Sequence, residues 1–207
     1  MKVTLIGSGN MGSGLAKQIT KAKHSLTISG RNVAKAKDLA QLVGATYQAS
    51  DAARGADVVI LAAPYADALP ALRLAGSLQG KIVVDITNPL TADYMGLTVG
   101  HSTSAAEQIQ QAVPEAKVVK AFNTVFAQVL SQGPLLAGKT VPVFFAGDDA
   151  SAKQVVQSLI QSMGFAPVDA GPLKNARYLE PLAGLNIYLG YGAGHGTSIS
   201  PAWIGVG

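Results

Sequence analysis

The chain has 207 residues, of which 48% are hydrophobic and 14% charged, and it contains no cysteine. A chain of this length and composition buries a sizeable core, so it forms one or two compact domains and is not intrinsically disordered. Without cysteine, disulfide bonds, thiolate metal sites and cysteine nucleophiles are excluded.

The positive charge is concentrated in the first part of the chain. Residues 1–37 hold 7 of the 16 lysines and arginines and none of the 12 acidic residues, whereas the whole chain has a formal net charge of +4. This concentration predicts a compact phosphate-bearing ligand and argues against a long nucleic acid. The sequence has neither a signal-peptide pattern at its start nor an apolar run of about 18 residues, so we expect a cytoplasmic protein without membrane contacts.

Short β-branched runs alternate with longer amphipathic runs, which is the pattern of a parallel sheet covered by helices. Strands are predicted over residues 2–6, 25–28, 46–47, 58–61, 82–85, 118–120, 141–145 and 165–168. Helices are predicted over residues 11–21, 32–42, 65–74, 103–111, 150–163 and 174–189. We therefore predict an α/β fold, with a doubly wound parallel sheet over residues 1–147 and a small C-terminal βα region over residues 148–207.

A glycine motif joins the first predicted strand to the first predicted helix in "VTLIGSGNMGSGLAKQI". Its G-x-G-x-x-G spacing is typical of a Rossmann domain that binds a dinucleotide. The first glycine permits a tight turn, the second lets a pyrophosphate approach backbone N–H groups, and the third lets helix and strand pack closely. The alternative is that these glycines serve only the turn and its packing. The predicted cofactor-binding residues here are Gly7, Ser8, Gly9, Asn10, Met11 and Gly12.

The second predicted strand ends in "SGRNVAKAK", where NAD-binding chains usually carry an acidic residue for the ribose 2′-hydroxyl. No acidic residue precedes Asp38. Arg31 can form charge-assisted bonds to a 2′-phosphate, with Lys35 one helical turn further on and Ser29 or Asn32 beside it. The sequence therefore predicts NADP(H). The alternative is that these cations form only a solvated helix surface.

Three further segments follow strands that end at the same edge of the predicted sheet. Ligands of open α/β folds lie outside these carboxyl ends. Small residues and prolines there would let a nicotinamide ring lie close to the backbone, and the polar side chains could fix its amide and ribose. Each residue could instead be a turn former. The predicted contacts are Ala62, Ala63, Pro64, Tyr65, Thr87, Asn88, Pro89 and Asn123.

The sequence offers no group for general acid or base catalysis in a recognisable pattern. It has no Tyr-x-x-x-Lys pair and no H-E-x-x-H or other metal-ligand spacing, and His24, His101 and His195 are isolated. We therefore predict no catalytic side chain and no metal site. Hydride transfer between two bound rings needs mainly alignment, since the cofactor supplies the chemistry.

Five ordered motifs, "IGSGNMG", "GRNVAKA", "VVDITNP", "VVKAFNT" and "AGPLKNARYLEPLAGL", together resemble one known family. They are similar to the NADPH-dependent deazaflavin (coenzyme F420) reductases and the related oxidoreductase domains of the Steap metalloreductases. The resemblance implies a Rossmann domain that binds NADP(H), exchanges a hydride with coenzyme F420 or a flavin such as FMN or FAD, and commonly forms a homodimer. One departure is that Gly30 precedes Arg31, where the archaeal enzymes typically have serine.

Two other functions stay open at this point. Carbonyl or imine reductases share the N-terminal half but generally add an all-helical domain of about 100 residues. An NADP sensor would keep the glycine loop and Arg31 without a second pocket. The stretch from residue 171 to 207 discriminates between them, because a small-molecule redox acceptor needs a pocket there. Its leucines, Leu179, Leu182, Leu185 and Leu189, are expected to be buried in the core or against a second copy.

Overall fold

The computed structural model describes residues 1–205 and contains one sheet of eight strands and a separate short hairpin. The strands of the sheet are β1 (Lys2–Ile6), β2 (Ser25–Ser29), β3 (Thr46–Tyr47), β4 (Val58–Leu61), β5 (Ile82–Asp85), β6 (Lys117–Ala121), β9 (Pro142–Gly147) and β10 (Ala166–Asp169). Their order is β10-β9-β6-β5-β4-β1-β2-β3. The order from β3 to β6 is that of a doubly wound dinucleotide-binding sheet, so the predicted fold class is confirmed.

One strand departs from the predicted parallel arrangement. β9 runs antiparallel to β6, with Ala121 opposite Phe145, while β10 pairs parallel with β9. The chain between β6 and β9 forms helix α5 (Ala127–Gln132) and a hairpin of β7 (Leu135–Leu136) and β8 (Lys139–Thr140), which were not predicted. This connection brings the chain back beside the carboxyl end of β6, so β9 can pair antiparallel without a crossover to the other end of the sheet.

The remaining helices lie close to their predicted positions. They are α1 (Asn10–Lys21), α2 (Val33–Val43), α3 (Ala68–Leu74), α4 (Ala105–Ala112), α6 (Ala150–Ser162) and α7 (Ala176–Ile187). Short 3-10 turns, Tyr65–Asp67 and Leu173–Asn175, precede α3 and α7, and a π-helical turn, Tyr188–Gly192, follows α7. Among residues 1–205, none of the helices combines the length and the apolar character needed to span a bilayer.

Helices cover both faces of the sheet, so successive strand residues enter two separate cores. Leu5, Ile28 and Ile60 face the core that contains α1, α2 and α6, whereas Val59 and Val83 face the core that contains α3 and α4. Strands buried on both faces are apolar almost throughout. The predicted division at residue 147 stays a prediction: β9 ends there, and β10 extends the same sheet.

Candidate functional site

The glycine loop lies between the ends of β1, β2 and β4. The N–H of Gly7 donates to the carbonyl of Ser29 at 2.8 Å. A Cβ at Gly7, whose φ is +122°, would lie 2.3 Å from the carbonyl oxygen of Ala62, and one at Gly12 would lie 2.1 Å from that of Gly7. These two positions therefore require glycine. Gly9 has no neighbouring atom within 4 Å of a built Cβ, so the space beside it is open.

The N-terminus of α1 opens toward this space. Gly9 is its N-cap and supplies no side-chain hydrogen bond, and the first turn, which begins with Asn10 and Met11, contains no acidic residue. The positive end of the helix dipole and the first N–H groups are therefore uncompensated by side chains. An anion such as a pyrophosphate fits this cradle.

Arg31 and Lys35 present their charges to solvent after β2. The guanidinium of Arg31 is 85% exposed, and its Nη1 lies 3.0 Å from Oδ1 of Asp67, which follows β4. Asn32 caps α2, since its Oδ1 accepts from the N–H of Lys35 at 3.0 Å. Ser29 is buried, and its hydroxyl points to the carbonyl of Ala49 at 3.5 Å. Asp67 is not among the residues predicted from the sequence, because no motif marks it as a partner of Arg31.

The segment after β4 turns back toward α4. Ala62 and Ala63 are half-buried and Pro64 is exposed. The hydroxyl of Tyr65 donates to Oε1 of Gln108 on α4. The pKa of Tyr65 is raised, first by burial and then by the negative charges of Glu180 and Asp85. The predicted residues here therefore line the sheet edge, while Tyr65 links it to the helix layer.

The segments after β5 and β6 are joined by side-chain amides. Asn88 Nδ2 donates to the carbonyl of Asn123 at 2.9 Å, and Asn123 Nδ2 donates to Oδ1 of Asn88 at 3.0 Å and to the carbonyl of Leu179 at 2.9 Å. Thr87 and Pro89 are buried beside them. Thr87 Oγ1 and Asn123 Oδ1 are buried and have no partner among residues 1–205. Buried polar atoms normally have partners, so this edge can accept hydrogen bonds from a ligand.

A buried ionic cluster lies directly beneath this edge. Lys120 Nζ is 2.8 Å from Asp85 Oδ2, 2.8 Å from Glu180 Oε1 and 2.5 Å from the carbonyl oxygen of Thr87. The side chains of Lys120 and Asp85 are fully buried. Burial lowers the pKa of Lys120, but the charges of Asp85 and Glu180 outweigh it and raise the pKa overall. Lys120 therefore stays a cation inside the protein.

The same cluster connects four elements. The carboxylate of Glu180 on α7 accepts from the N–H groups of Ala105 and Ala106 at the start of α4, at 2.9 and 3.2 Å. It thereby ties α7 to α4 and, through Lys120, to β5 and β6. The sequence analysis did not single out this cluster. Its signal was available as three charges inside otherwise apolar runs, "VVDI", "VVKAF" and "YLEPL".

A cavity of about 440 Å³ lies against the last turns of α7. Asn186 lines it and also donates to the carbonyl of Thr124, just after β6, at 3.1 Å. Leu179 is buried in the core, whereas Leu185 on α7 is 55% exposed and Leu189 in the following turn is 37% exposed, so the burial of these two leucines against a second copy stays a prediction. The cavity is lined by Leu182, Leu185, Asn186, Leu189, His195, Ile199, Ser200 and Pro201.

The three histidines lie in different places. His195 lines the cavity on α7, and His101 lines a second concavity near the start of α7. His24 lies between the N-terminal amine, 3.2 Å away, and Ser162 Oγ, 2.7 Å away, and its pKa is lowered by burial and by the amine. Residues 1–205 contain no group of three side chains that could hold a metal ion.

A protein family and several known proteins are similar in sequence to this chain. A sequence model of the family "NADP oxidoreductase coenzyme F420-dependent" matches residues 2–89. The chain is 34% identical over 213 residues to the F420-dependent NADP reductase of Methanocaldococcus jannaschii, covering 90% of this chain and 93% of that protein. It is 32% identical to metalloreductase STEAP3 of Rattus norvegicus, covering 87% of this chain but only 36% of that longer protein.

A solved structure agrees over the whole fold. The crystal structure of a candidate F420-dependent NADP reductase from Arthrobacter sp. FB24 superposes with a TM-score of 0.86 at 32% identity. The match covers 98% of this chain and 100% of that chain, so it includes the antiparallel strand β9 and the C-terminal helix as well as the glycine-loop half.

Proposed function

This chain belongs to the family of coenzyme F420-dependent NADP oxidoreductases, and from that membership we propose that it transfers a hydride between NADP(H) and a deazaflavin or flavin ring. It is an NADP-dependent oxidoreductase. The class of acceptor and the residues that bind the two rings are the proposed part. One observation carries it: the cavity on α7 adjoins the polar edge formed by the ends of β5 and β6.

The glycine loop would hold the pyrophosphate of NADP(H). Close contacts at Gly7 and Gly12 fix the loop, the open space beside Gly9 admits the ligand, and the N-terminus of α1 supplies N–H groups and a positive dipole. Ser8 lies in the same loop, and Asn10 and Met11 form the start of α1 next to it. This cradle fits a dinucleotide because it offers donors and space, and no carboxylate at the first turn repels phosphate.

Arg31 would select NADP(H) over NAD(H) through the 2′-phosphate. Its guanidinium is exposed, and its pairing with Asp67 is a surface ion pair that contributes little. Lys35 lies on the first turn of the adjacent helix and adds a second cation. Asn32 caps α2 through Oδ1, so its Nδ2 group can still donate to the phosphate, and Ser29 lies beside it at the end of β2.

Arg31→Ala tests this selection directly. We expect NADP(H) to bind at least tenfold more tightly than NAD(H) in the parent protein, because a charge-assisted phosphate contact contributes about 1.5–3 kcal/mol. The substitution should remove most of that difference and leave the affinity for NAD(H) unchanged. Equal affinities of the parent protein for the two dinucleotides, measured by calorimetry, would contradict the assignment.

The nicotinamide would lie over the ends of β4, β5 and β6. Ala62, Ala63 and Pro64 leave room close to the backbone, and Thr87 Oγ1 and Asn123 Oδ1 are buried acceptors without a partner in residues 1–205. A carboxamide N–H₂ group can satisfy such acceptors. The Asn88–Asn123 pair holds the two segments at a fixed separation, Pro89 is buried next to Asn88, and Tyr65 is held by Gln108.

The acceptor ring would occupy the cavity on α7. Leucines, Ile199 and Pro201 form most of its wall, which suits one face of a flat ring system, and Asn186, His195 and Ser200 supply a few polar groups. Asn123 donates to Leu179 and Asn186 donates to Thr124, so α7 is fixed next to the nicotinamide edge. The chain would thus align two rings, which is its main contribution to the rate.

The chemistry itself belongs to the bound groups. NADPH supplies a hydride from C4 of its nicotinamide and becomes NADP⁺, while the facing ring gains that hydride and one proton from solvent. No side chain near the cavity is required as a proton donor. Replacement of His101 or His195 by alanine should therefore lower turnover less than about tenfold, below the 10²-fold or larger contribution of a general acid or base.

A screen of NADPH oxidation tests the acceptor class. The parent protein would be mixed with saturating NADPH and, separately, with coenzyme F420, FMN, FAD, ferric chelates and small carbonyls. We expect turnover with a deazaflavin or flavin and none with carbonyls. Turnover with carbonyls alone, together with a thousandfold loss on replacing either histidine, would favour acid-assisted reduction. NADPH binding without turnover on any acceptor would favour an NADP sensor.

A homodimer would complete the acceptor side. Large apolar side chains are exposed on the end of α7 and on the tail: Tyr188 (52%), Tyr191 (65%), Trp203 (56%) and Ile204 (104%). A contiguous exposed apolar surface commonly marks an interface, and a two-fold contact would let the same surface of a second copy cover it. Light scattering at micromolar concentration should give the mass of a dimer, and a monomer would refute this part of the proposal.

A further inference from the structure

A second concavity, of about 380 Å³, lies on the outer side of α7 and has no assigned role in the two-ring scheme. Its wall combines basic and neutral side chains and contains no carboxylate. It is lined by His101, Lys174, Asn175, Arg177, Tyr178 and Pro181.

Its charge is positive. Arg177 binds Glu107 through Nε at 2.8 Å and Nη2 at 2.7 Å, so that carboxylate is matched by one guanidinium and its pKa is lowered by the hydrogen bond. Nη1 of Arg177 is not used in this pair and can still donate. Lys174 is exposed and forms no ion pair with any residue between 1 and 205. The positive charge of Lys174 is therefore not neutralised by a carboxylate in that part of the chain. The imidazole of His101 lies in the same wall.

The concavity and the acceptor cavity lie along the same helix, the first near its start and the second against its last turns. Lys174 lies in the turn before α7, and Tyr178, Pro181 and Leu185 follow at spacings of three or four residues, so the three helical side chains share one stripe of α7. Leu185 belongs to the wall of the acceptor cavity. At a rise of 1.5 Å per residue, Arg177 and Leu185 are separated by about 12 Å along the axis.

We propose that this concavity binds an anionic side chain of the acceptor, a phosphate monoester or a carboxylate, whose ring occupies the cavity about two helical turns further along α7. The inference rests on the proposed function, since it requires a ring acceptor in that cavity. Lys174 and the free edge of Arg177 supply charge-assisted donors, which suit phosphate and carboxylate oxygens. The ribityl phosphate chain of FMN has a length suited to this separation.

FMN and riboflavin test the proposal because they share one ring and differ only in the phosphate. With saturating NADPH at low ionic strength, we expect the KM for FMN to be about tenfold lower than that for riboflavin. Lys174→Gln should raise the KM for FMN about fivefold and leave the KM for riboflavin and the Kd for NADPH unchanged. The matched control is Lys139→Gln on the exposed β7–β8 hairpin, which removes the same charge and should change none of these values.

Other outcomes separate this inference from the proposed function. Equal KM values for the two flavins would overturn the anion site and leave the two-ring oxidoreductase intact. Inorganic phosphate should compete with FMN and not with riboflavin, and equal inhibition of both would overturn the proposal, because phosphate would then act away from the side chain of the acceptor. If neither flavin is reduced, quenching of flavin fluorescence by the NADP-loaded protein gives the same comparison as Kd values, and equal values would overturn the proposal.

Discussion

The glycine loop and helix α7 meet the same edge of the sheet, but they are built in different ways. The loop is shaped by backbone contacts at Gly7 and Gly12, and its charged neighbours Arg31 and Lys35 are exposed. Helix α7 is fixed by charges that are fully buried, with Glu180 paired to Lys120. The first region leaves its charges free for a ligand, whereas the second uses its charges within the protein.

The difference shows that a charged residue has two separate roles in this fold. A solvated cation contributes little to stability and is available to bind phosphate. A buried cation is stabilised only while its partners remain, so its removal leaves uncompensated charges in the core. Four tests separate the glycine-loop region from the α7 region, and they are given in order of expected effect.

Lys120→Met should have the largest effect. It leaves Asp85 and Glu180 facing each other without a cation, so we expect a loss of about 3–5 kcal/mol in the free energy of unfolding. Arg31→Ala is the matched variant from the other region and should cost about 1 kcal/mol or less. Urea unfolding of both proteins provides the comparison. Equal losses would show that the cluster does not hold α7 and the sheet together.

Gly12→Ala should have the next largest effect. Its Cβ would lie 2.1 Å from the carbonyl oxygen of Gly7, and such overpacking costs about 1–3 kcal/mol. Gly9→Ala is the control within the same loop, because its Cβ meets no atom within 4 Å. Gly9→Ala should leave the melting temperature nearly unchanged and weaken NADPH binding by occupying the space of the pyrophosphate. Unaltered NADPH affinity in Gly9→Ala would contradict the assigned pyrophosphate position.

Alkaline pH should destabilise the protein by deprotonating Lys120 and Tyr65, and this effect should be smaller than that of Gly12→Ala. The pKa of Lys120 and the pKa of Tyr65 are both raised in the folded protein. The folded state therefore keeps protons that the unfolded chain loses, and this stabilisation is complete below pH about 10 and lost as pH rises through the folded values. Melting temperatures should stay level up to about pH 10 and fall above it, and those of Tyr65→Phe should fall less steeply. Parallel profiles for the two proteins would exclude a contribution from Tyr65.

Asp67→Asn should have the smallest effect. It frees the guanidinium of Arg31 from its surface ion pair, so NADPH should bind about two- to threefold more tightly at low salt. NAD(H) affinity should be unchanged, since it lacks the 2′-phosphate, and the gain should disappear at high salt. A loss of NADPH affinity would mean that Asp67 orients Arg31 rather than competing for it.

Much of the architecture follows from local patterns in the sequence. Each central strand is a short β-branched run, and each long helix has an apolar face, so their positions were predicted to within a few residues. Helix α5, with six residues, and the two-residue strands β7 and β8 are too short for such periodicity to show. The antiparallel direction of β9 depends on where this short connection leaves the chain, which no pattern within β9 itself encodes.

The candidate site also has features that follow from local sequence and contacts that depend on the tertiary structure. The sequence by itself determined the glycine loop and the acid-free end of β2, because the conformation of a glycine turn and the sign of a side-chain charge are local properties. Only the tertiary structure decided that Lys120, Asp85 and Glu180 meet, and that Asn88 and Asn123 bind each other. These contacts join residues 35 to 60 positions apart, and their energies depend on burial and distances that exist only once α7 has packed against the sheet.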